Sequence, residues 1–293
     1  MTEIAEEFFD GNGRLRALTG GPDREPILFL HGGMPGVTPY CGGAHLWSSV
    51  LPLFARERRV IALDLPGCGG SPAGKEAFRI DTVGRAVLAL AEAKRLGPIH
   101  LVGSDQGGLV ALWLALEAPQ MVRSATVVSG PTATATGDGL ENLTLAYPPL
   151  PLWSRVSQAW ALDRLSYAHQ HIDDALLNSC EAAAAGTPHQ EALKRAADGA
   201  LQTFLASVTA AKTRLYQACR EVGVTRPVQL VWGTHDPLTS RNHGMVLYQL
   251  IAQKQRAAHF HLLNRTGSFP FREEPEEFHH MVAAFHDGVS PTN

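Results

Sequence analysis

The chain has 293 residues, enough for one large domain or a core carrying a lid. Its formal net charge is −3, with no long block of like charge, which argues against nucleic acid or an anionic membrane surface as a partner. The four cysteines, Cys41, Cys68, Cys180 and Cys219, lie far apart and form no CxxC pair, so neither a metal centre nor a disulfide framework is expected, and nothing implies a cofactor.

The opening MTEIAEEFFDGNG is acidic and lacks the basic and apolar regions of a secretory signal. No apolar run approaches membrane-spanning length. The expectation is a cytoplasmic protein, monomer or homodimer, acting on a small molecule. Apolar, β-branched runs at 27–30, 60–63, 100–102 and 125–128 read as buried strands, and 228–231 and 259–263 as two more. Helical patterns at 82–95 and 108–118 alternate with them, which implies βαβ units and a mostly parallel sheet.

A Gly/Thr/Pro-rich hinge, PTATATGDG, and then YPPLP interrupt this rhythm. Alanine- and leucine-rich helices follow at 154–162, 173–185 and 190–211, with a break at 186–188. The predicted organisation is an α/β core at 1–132, a helical lid at 133–223, and the rest of the core at 224–293. Such a lid covers the carboxyl edge of the sheet, where open α/β sheets bind ligands. The apolar residues Leu150, Leu152, Trp153 and Trp160 favour a fairly hydrophobic ligand.

The stretch LVGSDQGG ends the third of these runs. A strand ending in small-x-X-x-small-small before a helix makes a sharp turn that presents its central residue, and the small neighbours avoid a backbone clash. Aligning the glycines puts Asp105 at the apex and Ser104 one place early. The competing reading is an ordinary helix start with Asp105 as N-cap.

Four further segments carry a resemblance. LFLHGGMPG resembles the strand and HG oxyanion loop of the α/β-hydrolase superfamily, and VIALDLPGCGGS its next strand and turn. VWGTHDPLTS resembles the strand carrying the family's acid, at Asp236, and NRTGSFPFREEPEEF the segment carrying its histidine. Nearly the whole chain is covered. The HG loop, the RLSYAHQHIDDALLNSC segment and DPLTSRNHG are most similar to C–C bond hydrolases of aromatic meta-cleavage. The apical aspartate is instead similar to epoxide hydrolases and dehalogenases.

The resemblance implies an α/β-hydrolase fold with Asp105, Asp236 and Ser268 at the catalytic positions and the N–H groups of Gly33 and Gln106 as oxyanion hole. Ser268 stands where the family has histidine. Serine does not titrate near neutrality, and loss of a general base costs ~100-fold to ~10,000-fold. His45 is the best surrogate among His45, His169, His171, His235, His279 and His280. His31, Met34, Tyr147, Trp153, Trp160 and Phe269 are the candidate substrate contacts. Tyr147, Tyr167 and Tyr216 are candidate acids for an epoxide oxygen. Gln106 and Gly33 stand where dehalogenases hold their halide with tryptophan and asparagine. The stretch LLNSCEAAAAG lacks the arginine with which C–C hydrolases bind a substrate carboxylate.

Three readings follow. The first is a non-hydrolytic enzyme in which Asp105 removes a proton beside a carbonyl held by the oxyanion hole. The second is a hydrolase of epoxide, ester or C–C bonds with Asp105 as nucleophile. The third is a binding protein that has kept the pocket and lost turnover.

Overall fold

The strand runs 27–30, 60–63, 99–104 and 228–233 are buried on both faces, so they need helices above and below. The computed structural model describes residues 3–11, 13–74, 79–135 and 142–289; the latter half of the expected hinge, 136–141, lies outside them. The strands are β1 (Ile4–Gly11), β2 (Gly13–Gly20), β3 (Ile27–Leu30), β4 (Val60–Leu63), β5 (Ile99–Ser104), β6 (Val122–Val128), β7 (Val228–Gly233) and β8 (Ala258–Leu263). They form one sheet in the order β1-β2-β4-β3-β5-β6-β7-β8. The β1–β2 and β2–β4 pairs are antiparallel, and every other pair is parallel.

All six expected strands are present. The hairpin β1–β2 is an addition. Its signal is short-period alternation: Leu15, Ala17 and Thr19 are buried, while Arg14, Arg16 and Leu18 between them are not. The same alternation divides β3, whose Leu28 and Leu30 face one core and Ile27 and Phe29 the other.

The helices are α1 (Leu51–Phe54), α2 (Ile80–Ala93), α3 (Gln106–Glu117), α4 (Arg155–Leu165), α5 (Asp174–Ala185), α6 (Thr187–Arg195), α7 (Leu201–Glu221), α8 (Arg241–Ala252), α9 (Pro270–Glu273) and α10 (Pro275–Val289). Helix α3 is apolar nearly all round, with Leu109, Val110, Ala111, Leu112, Leu114 and Ala115 all buried. It is therefore the central helix of its layer, between the sheet and α2 and α7.

The inserted helices start where capping chemistry dictates. Ser154 Oγ accepts the Ser157 N–H ahead of α4, and Asp173 Oδ1 accepts the Leu176 N–H ahead of α5. The expected single helix at 190–211 is instead two, because Gly199 at φ +95° breaks the run between α6 and α7. Helix α7 continues beyond the predicted end and buries Leu215 and Cys219 in the same core as α3. The helical insertion expected at 133–223 is thus not separate from the core along its whole length. All four cysteines are buried free thiols. Among the described residues no helix is long and apolar enough to cross a membrane, and no group of three or more His, Cys, Asp or Glu is placed to hold a metal.

Candidate active site at the strand ends

Strand β5 ends at Ser104 and α3 begins at Gln106, so Asp105 alone makes the turn. Its backbone lies at φ +47°, ψ −115°, a strained conformation for a residue with a side chain. The turn is tight enough to demand its glycines. A Cβ on Gly103 would lie 2.2 Å from the Gly107 carbonyl oxygen, and one on Gly107 would lie 2.2 Å from that of Leu30. Ser104 faces away: it is buried, and its Oγ accepts the Gly32 N–H at 3.0 Å. Asp105 makes no side-chain cap on α3, which removes the N-cap reading.

Thr132 Oγ1 donates to Asp105 Oδ1 at 3.0 Å. Burial pushes the Asp105 carboxyl above the usual carboxylate range, and the hydrogen-bond donors of Thr132 and the Gln106 N–H oppose that rise. Gln106 is buried at the first position of α3. No described residue accepts the N–H of Gly33, at φ +89° beyond β3.

The second carboxylate follows β7. Asp236 Oδ1 accepts the Ser268 hydroxyl at 2.7 Å and the N–H groups of Leu238 and Thr239 at 3.0 and 3.1 Å. Its Oδ2 is buried without a hydrogen-bond partner among the described residues. Burial raises its carboxyl too, with the Ser268 hydrogen bond the largest opposing influence. The loop bearing Ser268 is held at both ends. Ser268 N–H donates to the Leu165 carbonyl at 2.7 Å, and Gly267 N–H donates to Glu273 Oε1 at 2.8 Å.

The surrogate histidines are engaged elsewhere. His45 Nε2 lies 3.5 Å from the Cys180 thiol, and burial takes its pKa down to about 4. His171 sits 2.8 Å from Ser166 Oγ; burial, with Arg272 beside it, takes it down to about 3. His169 pairs with Asp163, His235 is exposed and packs on Tyr167, and His279 packs its ring on Phe54. The ring of His280 neighbours that of His279 on α10.

Several expected substrate contacts also move. His31 is fully buried, with Nε2 accepting the Leu65 N–H at 3.0 Å and Nδ1 2.8 Å from the Gly32 carbonyl, so it shapes the loop instead of facing a ligand. Tyr147 is 91% exposed, pointing to solvent. Trp160 packs on the core, with Arg164 over its ring, and Trp153 donates Nε1–H to the Thr38 carbonyl. Tyr216 donates its hydroxyl to the Ala133 carbonyl. Met34 and Phe269 stay close to the site. Met34 lines, with Gln106, Leu65, Val110 and Phe204, a narrow cavity of about 20 Å³. Phe269 is buried edge-to-face against Tyr40, centroids 5.8 Å apart. Tyr40 is a residue that sequence reasoning misses, because no motif contains it.

A family model described as the alpha/beta hydrolase fold matches residues 25–262. The chain belongs to the α/β-hydrolase fold family. Within that family it is 26% identical over 282 residues to a 2-hydroxy-6-oxononadienedioate/2-hydroxy-6-oxononatrienedioate hydrolase of Cupriavidus pinatubonensis, covering 93% of this chain and 90% of that one. It is 28% identical over 269 residues to the dihydrolipoyllysine-residue acetyltransferase component of the acetoin cleaving system of Pseudomonas putida, over 91% of this chain and 64% of that longer one. Among solved structures, the meta-cleavage product hydrolase CumD of Pseudomonas fluorescens superposes with a TM-score of 0.77 at 18% identity, over 98% of this chain and 99% of that one. The α/β-hydrolase expectation is thereby met, and the likeness to C–C hydrolases has named counterparts. The hydrolases among these relatives are compatible with the hydrolytic reading of the sequence and not with the non-hydrolytic one.

Proposed function

We propose that this α/β-hydrolase hydrolyses a C–C or ester bond beside the carbonyl of a small, largely apolar compound, with Asp105 as the base that activates water. The observation that carries this reading is a carboxylate alone at the elbow, its acidity weakened by burial, with the imidazoles of His45 and His171 engaged by Cys180 and Ser166. Ser268 spends its one proton on Asp236, so only lone pairs remain to hold a water between it and Asp105.

In the first step Asp105 takes a proton from that water, the new O–C bond forms at the carbonyl, and the electron pair moves to the carbonyl oxygen. The Gly33 and Gln106 N–H groups receive the resulting oxyanion. The carbonyl then re-forms, the C–C or C–O bond breaks, and Asp105 returns its proton to the departing group. Asp105 thus serves as base and then acid without an imidazole.

The relatives' names make 2-hydroxy-6-oxo-dienoates the first compounds to test. The cavity beside Gln106 suits an apolar end of such a molecule, although at about 20 Å³ it holds little more than a water and must widen, with Phe204 on α7 moving. Its arginine, Arg79, is already bound by both oxygens of Asp81.

The strained apical position of Asp105 favours a second reading, direct attack on the carbonyl with a mixed anhydride on Asp105 as intermediate. Rapid-quench mass measurement of the protein during turnover of 2-hydroxy-6-oxo-6-phenylhexa-2,4-dienoate separates the two. An unmodified chain is expected, and an acyl adduct on Asp105 would replace the base by a nucleophile. Asp105→Asn is expected to lower kcat by ~1,000-fold; undiminished turnover would end both readings.

A further inference from the structure

The loop after β3 carries a phenol with no partner. Tyr40 is only 6% exposed, yet among the described residues its hydroxyl makes no hydrogen bond and is not itself one of the enclosed polar atoms. A phenol held by a buried ring, with its hydroxyl open to accessible space, is placed to meet a ligand acceptor. The ring is held firmly. Its Cε2 would lie 2.9 Å from a Cβ on Gly33, its edge packs against Phe269, and Thr38 Oγ1 donates to the Tyr40 carbonyl at 2.9 Å. The ring edge therefore lies against Gly33, whose own N–H no described residue accepts.

We infer that the Tyr40 O–H donates to the substrate carbonyl oxygen beside the Gly33 N–H, as a side-chain member of the oxyanion hole. The inference rests on the reading of Asp105 as the group that adds water to a carbonyl. Burial, and after it the charges of Asp105 and Asp236, raise the phenol far above its ordinary pKa, so Tyr40 remains a donor throughout the working range. A neutral donor suits this role, because it meets charge that develops in the transition state and adds none to the resting site.

The probe is phenyl trifluoromethyl ketone, whose activated carbonyl mimics the reacting group, with binding followed by fluorine NMR. Wild type should bind it and Tyr40→Phe about tenfold more weakly, with an unchanged melting temperature because the ring packing is kept. On the phenyl dienoate, kcat of Tyr40→Phe should fall ~100-fold with KM nearly constant. Equal ketone affinity in the two proteins, or no binding by wild type, overturns the assignment whether or not the dienoate is turned over. Asp105→Asn keeps the two ideas apart. Full turnover by that variant refutes the Asp105 reading alone, while weaker ketone binding by Tyr40→Phe would still stand.

Discussion

At position 268 a hydroxyl replaces an imidazole, and the difference is one of reach and of protonation. The Ser268 hydroxyl donates to Asp236 Oδ1 at 2.7 Å, so no imidazole joins Asp236 to Asp105, and Asp236 Oδ2 has no partner among the described residues. Asp105 then depends on its own raised pKa. The base must be ionised, so activity rises with pH through a midpoint above the ordinary carboxylate value of ~3.9. Ser268→His is expected to place a base between the two carboxylates and move that midpoint toward ~6.5, as read from the pH dependence of kcat/KM. An unchanged profile would show that position 268 does not face Asp105. The motifs display Asp105, Asp236 and Ser268 in the sequence, but the hydrogen bond that ties the last two together is a fact of the fold.

At the scale of elements, the Ser268 loop is held by a four-residue helix. Glu273 on α9 accepts the N–H groups of Tyr167 and Ala168, just beyond α4, and of Gly267, all at 2.8 Å. One carboxylate thus binds the end of an inserted helix to the loop that follows β8. Each such charge-assisted bond is worth about 1.5–3 kcal/mol, although three on one carboxylate do not add. Glu273→Ala should cost about 2–4 kcal/mol in urea unfolding and should also lower kcat, because Ser268 loses its register against Asp236. Lost stability with intact kcat would mean that the Leu165 carbonyl alone holds the loop. Nothing in NRTGSFPFREEPEEF distinguishes Glu273 from its acidic neighbours; the contact joins residues over a hundred positions apart.

Across the whole molecule, several imidazoles are buried in neutral form. His45 is lowered to about 4 and His100 and His171 to about 3, while His286 is lowered well below its usual value, in each case chiefly by burial. His100 and His286 stack at 4.0 Å between β5 and α10, where two positive charges would repel. Because these folded-state values lie below the unfolded value of ~6.5, the unfolded chain binds more protons in acid. Stability is therefore full above ~pH 6.5 and falls as pH drops toward 4 and then 3, by about 1.4 kcal/mol per pH unit for each proton taken up. The raised carboxyls of Asp105 and Asp236 act in the opposite sense, favouring the fold in acid. With the histidines in the majority, urea midpoints should decline steadily below ~pH 6.5. A flat dependence between pH 6.5 and 4 would show that these rings protonate without unfolding.

The α/β class, the parallel strands and the apical Asp105 are all legible in the sequence. Those features rest on local rules: runs that bury both faces, and glycines wherever a Cβ would meet backbone, as at Gly103 and Gly107. The serine at 268 was equally plain. Which side chains meet was settled only in three dimensions. Folding buried His31 within its loop, turned Tyr147 to solvent, engaged the other histidines elsewhere, and broke the long helix at Gly199. It also brought Tyr40 beside Gly33 and Phe269. The physical reason is that a turn is dictated by neighbours in sequence, whereas the direction and partner of a side chain are set by segments that reach it only through the folded sheet.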